Sequence, residues 1–371
     1  MEIIQLDTGD RRQVRQFLDL PFVLYRSTPQ WVPPLAPEAR HVLDRRHPFY
    51  RHSDAAFFLA VADGRVAGRI AVLDNHNYNE FNKERTAFFC LFECAENAGA
   101  AQGLFDAAFA WARGRGLERL VGPKGFTALD GLGLLVRGFE HRPAFGIPYN
   151  LPYYGALVEA AGFTGSGDIV SGYLHRSAPF PERIHRAAEL IMKHRGLSIA
   201  RFTSRRDLRA LVPKLGRLYN EALAGTTGNV PLTDDELRVM AEQLLSYADP
   251  RLIKIVMKGD EPIGYLFAYP DISAAMQRTR GRIWPLGWAD LLLELKRTRW
   301  VNINGAGIVE QYRGLGGTAI LFSEMHKSLL EGHFEHADLV QVGVDNGNMQ
   351  RELRGLGIDF YKMHRMYERP L

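Results

Sequence analysis

Cysteine is scarce in this sequence of 371 residues, which contains only Cys90 and Cys94, both within the stretch FFCLFEC. If that stretch is a β-strand, residues four apart lie roughly 13 Å from each other along it, which is too far for a disulfide. Chains without disulfides are typical of reducing compartments. We therefore expect two buried thiols in a cytoplasmic protein.

Long apolar runs and a strong excess of one charge are also missing. No apolar run approaches the ~18–20 residues that a membrane-spanning helix needs, and the polar opening MEIIQLDTGDRRQ is unlike a signal peptide. Lys and Arg number 46 against 42 Asp and Glu, a net charge of +4. This excess is too small and too scattered to indicate nucleic acid, but it suits a smaller anion or an anionic lipid surface. We expect a protein that is soluble or rests peripherally on the inner membrane.

One order of elements is repeated along the chain. Each half contains two apolar strands joined by a tight turn, AAFFLAVADGRVAGRIAVL in the first and RLIKIVMKGDEPIGYLFAYP in the second, which are hairpin signals. Helical segments precede each hairpin, and Ser204 and Asp207 in one of them are spaced as a capping box. This self-similarity predicts two copies of one α/β fold with a mixed (α+β) sheet. We expect the halves to span 1–178 and 179–371, with the seam at RSAPFPERIH.

The second half contains a glycine-rich stretch, EQYRGLGGTAIL (310–321), between an apolar strand and a helix. The first N–H groups of a helix have no intrahelical partner and the helix dipole favours an anion there. Glycines let a phosphate approach the backbone without a Cβ in the way. The stretch is neither a Walker loop nor a dinucleotide fingerprint. It predicts a phosphate-binding loop, and the alternative is a plain tight turn between strand and helix.

This stretch resembles the pyrophosphate loop of the GNAT acyltransferases, and the order of elements around it is similar as well. The resemblance implies two tandem GNAT folds, an acyl-CoA co-substrate, no metal, and an amine that attacks the thioester directly. It implies that the pantetheine arm pairs with the splayed strand NGAGIVE. The CoA-binding residues implied are Ile308, Val309, Gln311, Tyr312, Arg313, Gly314, Leu315, Gly316, Gly317, Thr318 and Asn346.

The end of the second half departs from the GNAT pattern. These enzymes often have an Asn on the last crossing and a Tyr seven residues later, which acts as acid for the leaving thiolate. Asn346 fits the first position, but the second is Leu353. Tyr361 or a residue of the other half would then replace the acid. Alternatively, the thiolate leaves without help, because the pKa of its thiol is low.

The first half lacks the loop and has Glu93 and Glu96 where a phosphate would sit. We interpret it as a GNAT-like copy that no longer binds CoA and supplies the acceptor side. Since an attacking ammonium must lose a proton, Glu93 and His76 are candidate general bases. The alternatives are a solvated carboxylate at a strand end for Glu93 and a hydrogen-bonding turn residue for His76. Tyr153 and Tyr154 are candidate substrate contacts, with packing as the alternative.

The segment RGRIWPLGWADLLLELKRTRW (280–300) combines Trp284, Trp288 and several leucines with flanking arginines and lysines. Tryptophan and leucine between cations are typical of a helix that lies on anionic lipid. The alternative is a helix packed between the two halves. The two interpretations are compatible.

The tandem arrangement, with HPFYRHSDAAFFLA and PYNLPYYGAL in the first half, also resembles the YghO-like group, which includes the bacterial ceramide synthases. That resemblance covers the whole chain. It implies that a long-chain acyl-CoA is condensed with the amine of a sphingoid base to give a ceramide. Alternatives are acylation of a small polar or peptide amine, a Fem-type aminoacyl transfer from tRNA, which the modest charge disfavours, and a non-catalytic acyl-CoA-binding module at the membrane.

Overall fold

The computed structural model describes residues 1–127, 129–223 and 230–371. In this part of the chain the strands form one mixed, 13-stranded sheet, which confirms the predicted α/β class. The strands are β1 (Glu2–Gln5), β2 (Asp54–Ala62), β3 (Arg65–Asp74), β4 (Thr86–Cys94), β5 (Arg119–Gly122), β6 (Leu134–Arg137), β7 (Thr164–His175), β8 (Leu197–Ala200), β9 (Ile253–Lys258), β10 (Glu261–Pro270), β11 (Trp300–Ile308), β12 (His336–Gly343) and β13 (Asp359–Pro370).

Helices cover both faces of the sheet. They are α1 (Arg11–Leu24), α2 (Ala36–His41), α3 (His76–Asn82), α4 (Ala98–Arg113), α5 (Tyr154–Ala160), α6 (Glu182–Arg195), α7 (Arg205–Ala222), α8 (Asp234–Tyr247), α9 (Ser273–Thr279), α10 (Gly287–Arg297), α11 (Gly317–Glu331) and α12 (Gly347–Gly355). Among the helices described, none is both long and apolar enough to cross a bilayer.

The local predictions about hairpins and caps are confirmed. Strands β2 and β3 pair antiparallel around a turn in which Asp63 and Gly64 have φ of 51° and 73°, as a tight hairpin turn requires. Strands β9 and β10 form the second hairpin. Ser204 and Asp207 form the expected capping box at the start of α7. Cys90 and Cys94 are free and buried.

The halves share the sheet through an exchange of strands. The order is β1-β2-β3-β4-β5-β13-β7-β12-β11-β10-β9-β8. The C-terminal strand β13 therefore pairs with β5 of the first half, while β7, which ends the first half, pairs with β12 of the second. The predicted boundary between 178 and 179 falls in the link from β7 to α6, and the division into two domains stays a prediction.

Each half contains an opening between two parallel strands. Pairing of β11 with β12 ends at Ile303 and Leu339, although both strands continue. Pairing of β4 with β5 ends in the same way at Phe88 and Val121. Beyond these points the facing strands no longer pair as a ladder, which leaves an open edge on β11. In the first half the C=O of Phe89 still accepts from the N–H of Lys124 at 2.9 Å. The two gaps differ in what fills them.

Candidate active site between the two halves

The glycine-rich loop begins where β11 ends and consists of one 3-10 turn, Glu310–Tyr312, followed by the glycines. Gly314 and Gly316 have φ of 73° and 88°, values that side chains rarely adopt. Gly316 is the N-cap of α11, and no side chain caps that helix. Its first N–H groups are therefore presented without a side-chain acceptor, as an anion site at a helix start requires.

Contacts of the loop with the second half fix its shape. A Cβ on Gly316 would lie 2.3 Å from Cδ1 of Ile191 in α6, and one on Gly317 would lie 2.8 Å from Cδ1 of Ile308. Arg313 donates to the carbonyl oxygens of Ile308 and Ala222, at 3.2 and 3.0 Å. The guanidinium of Arg313 thus joins the loop to the ends of β11 and α7. The side chains of Gln311 and Arg313 are exposed, and those of Val309, Tyr312, Leu315 and Thr318 are half-buried.

The strand edge next to this loop is open. Gly264 and Leu266 of β10 pair with Ile308 and Ala306 on one side of β11, but pairing with β12 has already ended at Ile303 on the other side. The backbone of 304–308 is thus presented like the edge strand to which an extended chain adds. This geometry suits the pantetheine arm implied by the resemblance.

The residues expected after the last crossing lie on α12 and β13. Asn346 is the N-cap of α12 and accepts from the N–H of Met349 at 3.1 Å. Leu353 is fully buried in the core of the second half. The hydroxyl of Tyr361 donates to Oδ2 of Asp338 at 2.8 Å, and burial raises the pKa of Tyr361 far above its usual value, with a smaller contribution from Asp338. Tyr361 as the acid stays a prediction.

In the first half, tyrosines occupy the corresponding strand edge. The hydroxyl of Tyr154 accepts from the N–H of Cys94 at 3.1 Å, and the hydroxyl of Tyr153 donates to the carbonyl oxygen of Cys94 at 2.8 Å. These bonds occupy the N–H and C=O of the last residue of β4, whereas the corresponding part of β11 is not paired with β12. They give a physical reason for the expectation that the first half does not bind CoA.

Glu93 lies in the same network. Its Oε2 accepts from the hydroxyls of Tyr25 and Tyr154, at 2.6 and 2.8 Å, and Arg69 lies 3.8 Å from Oε1. Burial raises the pKa of Glu93, which Arg69 and the two tyrosines partly oppose. His76 is exposed at the start of α3 and contacts Asp74 at 3.0 Å through Nε2. Their roles as general bases stay predictions.

A cavity of about 1840 Å³ lies between the halves. In the first half, the lining residues come from α1, from the segment 31–47 that includes α2, and from the segments 123–134 and 145–150. Ala128, in the segment 123–134, is outside the described residues. The second half contributes residues of α8, Tyr269 and Asn304. Glu93, Tyr25 and Arg69 of the first half line it as well, whereas His76 and Tyr361 are not among the described lining residues.

Asn304 connects the cavity to the gap between β11 and β12. It is the first residue of β11 after pairing ends. Its Nδ2 donates to the hydroxyl of Tyr269 at 3.1 Å, which donates in turn to the carbonyl oxygen of Phe145 at 3.2 Å. A thioester held on the open edge of β11 would therefore reach, at Asn304, a cavity that is lined mostly by residues of the first half.

The mouth of the cavity is apolar and basic. Trp284 and Val23 line it and are 78% and 69% exposed, and Arg280 and Arg282 line it as well. None of the residues of α10 is buried. Three of its apolar side chains face solvent on one side, whereas two others pack against the core around Tyr269: Trp288, Leu292 and Leu293 are exposed, and Leu291 and Leu295 are partly buried.

Sequence reasoning missed two carboxylates in the cavity, Glu38 and Asp130. Glu38 lies on the six-residue helix α2, which has no periodicity to indicate a site. Burial, and then the charge of Asp130, raises the pKa of Glu38 to about 7, while a hydrogen bond from Gln243 opposes the shift. Only the fold brings Gln243 of the second half next to Glu38.

No family model matches the chain. The protein YghO of Escherichia coli (strain K12) is 25% identical over 373 residues, an alignment that covers 98% of this chain and 94% of YghO. The bacterial ceramide synthase of Caulobacter vibrioides (strain NA1000 / CB15N) is 26% identical over 374 residues, 97% of this chain and 95% of that protein.

Two solved structures are similar over nearly their whole length. A tandem GNAT protein from the clavulanic acid biosynthesis pathway superposes with a TM-score of 0.58 at 14% identity, covering 100% of this chain and 98% of the other. A GCN5-related N-acetyltransferase from Sphaerobacter thermophilus gives 0.51 at 14% identity, with coverage of 100% and 95%. The predicted tandem GNAT fold is confirmed.

Proposed function

We propose that this chain is an acyl-CoA-dependent N-acyltransferase that joins a long-chain acyl group to the amine of a sphingoid base. The observation that carries the proposal is the continuity between the open edge of β11, with its bare glycine loop, and the cavity at Asn304. The thioester would be held by the second half and the amine would enter from the first. The named activity of the Caulobacter relative supports an amide-linked lipid product, a ceramide.

The shape of the cavity favours lipid substrates over small polar ones. Ordinary small-molecule sites enclose about 300–1,000 Å³, whereas this cavity measures about 1840 Å³. Its mouth is formed by exposed apolar side chains, Trp284 and Val23. A long acyl chain and the chain of a sphingoid base would both find apolar walls there.

Acylation of a small polar or peptide amine is the second candidate, because the Sphaerobacter protein of the same fold is an N-acetyltransferase. A non-catalytic acyl-CoA-binding module is the third, because the position of the usual acid is Leu353 in the core. The low pKa of the leaving thiol makes such an acid dispensable. The three candidates differ in which mixtures release thiol.

Thiol release from purified protein separates the candidates. Acetyl-, octanoyl- and palmitoyl-CoA would each be supplied with sphinganine, with a peptide amine and without an amine. We expect release from the long-chain thioester with sphinganine and detection of the ceramide by mass spectrometry. Release from acetyl-CoA with the peptide amine would contradict the lipid proposal, and binding without release from any mixture would contradict catalysis.

We also propose that the surface around Trp284 and Trp288 contacts anionic membrane, since basic side chains flank it. Replacing both tryptophans by alanine should weaken binding to vesicles of phosphatidylcholine and phosphatidylglycerol. The loss should be roughly 100-fold if each ring contributes ~1.5 kcal/mol. Co-sedimentation measures it, with Phe81→Ala, an exposed aromatic of the first half, as the control. Equal binding of the double variant and the wild type would refute the contact.

A further inference from the structure

The cavity offers several carboxylates, but all except one are engaged. Those that line it among the described residues are Asp19, Glu38, Asp44, Glu93 and Asp130. Asp19 pairs with Arg15 at 3.2 Å and Asp44 with Arg46 at 2.7 Å. Glu93 accepts from two tyrosine hydroxyls. These three groups are therefore poor acceptors for the proton of a substrate.

Asp130 shapes its own loop. Its Oδ2 accepts from the N–H of Thr127 at 2.9 Å, and a Cβ on Gly125 would lie 2.3 Å from the same oxygen. Glu38, like Asp130, forms no ion pair among the described residues, but it does not hold a loop in this way. The group that lowers its pKa is the neutral side chain of Gln243. A carboxylate without a cation, in a cavity, is free to receive a cationic substrate group.

The backbone around Glu38 is fixed against the second half. The N–H of Ala36 donates to the carbonyl oxygen of Gly281 at 2.9 Å, and Gln277 donates to the carbonyl oxygens of Pro29 and Trp31 at 2.7 and 2.9 Å. Leu35 packs in a core cluster with Tyr247 and Tyr269. Helix α2 of the first half is thus held beside the wall that carries Tyr269 and Asn304.

We propose that Glu38 is the general base of the reaction, so that the active site is assembled from both halves: CoA on the second, and the base and the amine-binding walls on the first. The inference rests on the proposed function. The acceptor it fits is a primary ammonium at the end of a long apolar chain. The carboxylate of Glu38 attracts the ammonium, and the cavity receives the chain.

The proton balance is simple. Glu38 takes one proton from the ammonium, and the freed lone pair attacks the thioester carbonyl carbon. The carbon–sulfur bond then breaks, with its electron pair on sulfur. The nitrogen loses its second proton to that sulfur, which leaves as the CoA thiol, and Glu38 returns its proton to water. A carboxyl whose pKa is about 7 is suited to this exchange at neutral pH.

The surroundings of Glu38 set its titration. The titratable groups that face it are Asp130 from the loop 123–134, Tyr247 from α8 and Tyr269 from β10. The other charged or titratable groups that line the cavity among the described residues are Arg11, Arg15, Asp19, Tyr25, Arg40, His41, Asp44, Arg45, His47, Arg69, Cys90, Glu93, Lys124, Tyr149, Arg280 and Arg282. Because the base must be unprotonated, kcat/KM should rise with pH and level off above about 7.

The test is Glu38→Gln, assayed with palmitoyl-CoA and sphinganine across pH. We expect kcat/KM to fall by ~100- to 10,000-fold while the affinity for palmitoyl-CoA is unchanged. The plateau should be replaced by a rise that continues toward the pKa of the amine itself, ~10. Glu80→Gln removes one exposed carboxylate of the first half and should leave rate and pH profile unchanged.

Two further variants keep the test independent of folding. Asp130→Asn removes the neighbouring charge, so the ascending limb of kcat/KM should move to lower pH. Glu38→Asp keeps a carboxyl group at this position, so kcat/KM should still rise with pH to a plateau, but at a reduced rate. If the wild type is active and Glu38→Gln has the same kcat/KM and the same ascending limb in its pH profile, this inference alone is overturned. A wild type that binds acyl-CoA but releases no thiol would instead overturn the proposed function.

Discussion

Replacing Gly314 by valine is expected to weaken palmitoyl-CoA binding by at least ~100-fold while the protein stays folded. Gly314 has φ of 73°, and a Cβ there would meet nothing within 4 Å. The protein itself therefore has room for the side chain. A β-branched residue is strained in this conformation, so the loop should relax and turn its N–H groups away from the pyrophosphate. Losing two charge-assisted hydrogen bonds at ~1.5 kcal/mol each accounts for the factor.

The matched control is Gly64→Val in the β2–β3 turn of the first half. Gly64 has the same φ of 73° and the same open surroundings, so it adds equal backbone strain far from the loop. Titration calorimetry of both variants against palmitoyl-CoA gives the comparison. Equal affinities would show that the pyrophosphate does not sit on this loop. Gly316 is less suitable for the test, because a Cβ there would collide with Ile191.

Replacing Lys362 by methionine should lower the free energy of unfolding by about 3–5 kcal/mol, since the change leaves a buried carboxylate without its cation. Lys362 and Asp338 are 1% and 3% exposed at the side chain and lie 2.8 Å apart. Lys362 is on β13, Asp338 is on β12, and Nζ also contacts the carbonyl oxygen of Arg142 in the first half. The pair thus lies where the exchanged strands meet.

Urea denaturation of four proteins measures this effect: wild type, Lys362→Met, Asp338→Asn and the double variant. The double variant should recover much of the loss, because its remaining amide carries no unpaired charge. Losses that simply add would mean that the two side chains do not interact. If Lys362→Met were as stable as the wild type, the ion pair would have to be exposed to solvent, which would contradict the burial of Lys362.

Local sequence signals predicted what depends on neighbouring residues. Ser204 with Asp207, Asp63 with Gly64, and the glycines after β11 all act within a few positions, and the structure places each as expected. The repeated order of elements was enough to predict two copies of one fold. The exchange of β7 and β13 was not predictable in this way, because the pattern of a strand indicates which face is buried but not which strand lies beside it.

Within the candidate site, the sequence predicted the conformation of the glycine-rich loop but not the contacts between distant residues. The bonds from Tyr153 and Tyr154 to Cys94 join residues about 60 positions apart, so the sequence indicated only that the first half lacks the glycine-rich loop. Glu93 was predicted as a general base, with a solvated carboxylate at a strand end as the alternative. In the structure it is instead surrounded by two tyrosine hydroxyls and Arg69. Glu38 has no local sequence signal, because it is the packing of α2 against Tyr269 and Gly281 that holds it at the cavity.

The most direct test is a crystal structure with a non-hydrolysable thioether analogue of palmitoyl-CoA. We expect one analogue per chain, with its pyrophosphate on the backbone N–H groups of 314–318 and its pantetheine along 304–308. The thioether should lie beside Asn304, with the acyl chain in the cavity and Glu38 facing the carbonyl position. A pyrophosphate bound to the first half, or an acyl chain that lies outside the cavity, would contradict an active site shared between the two halves.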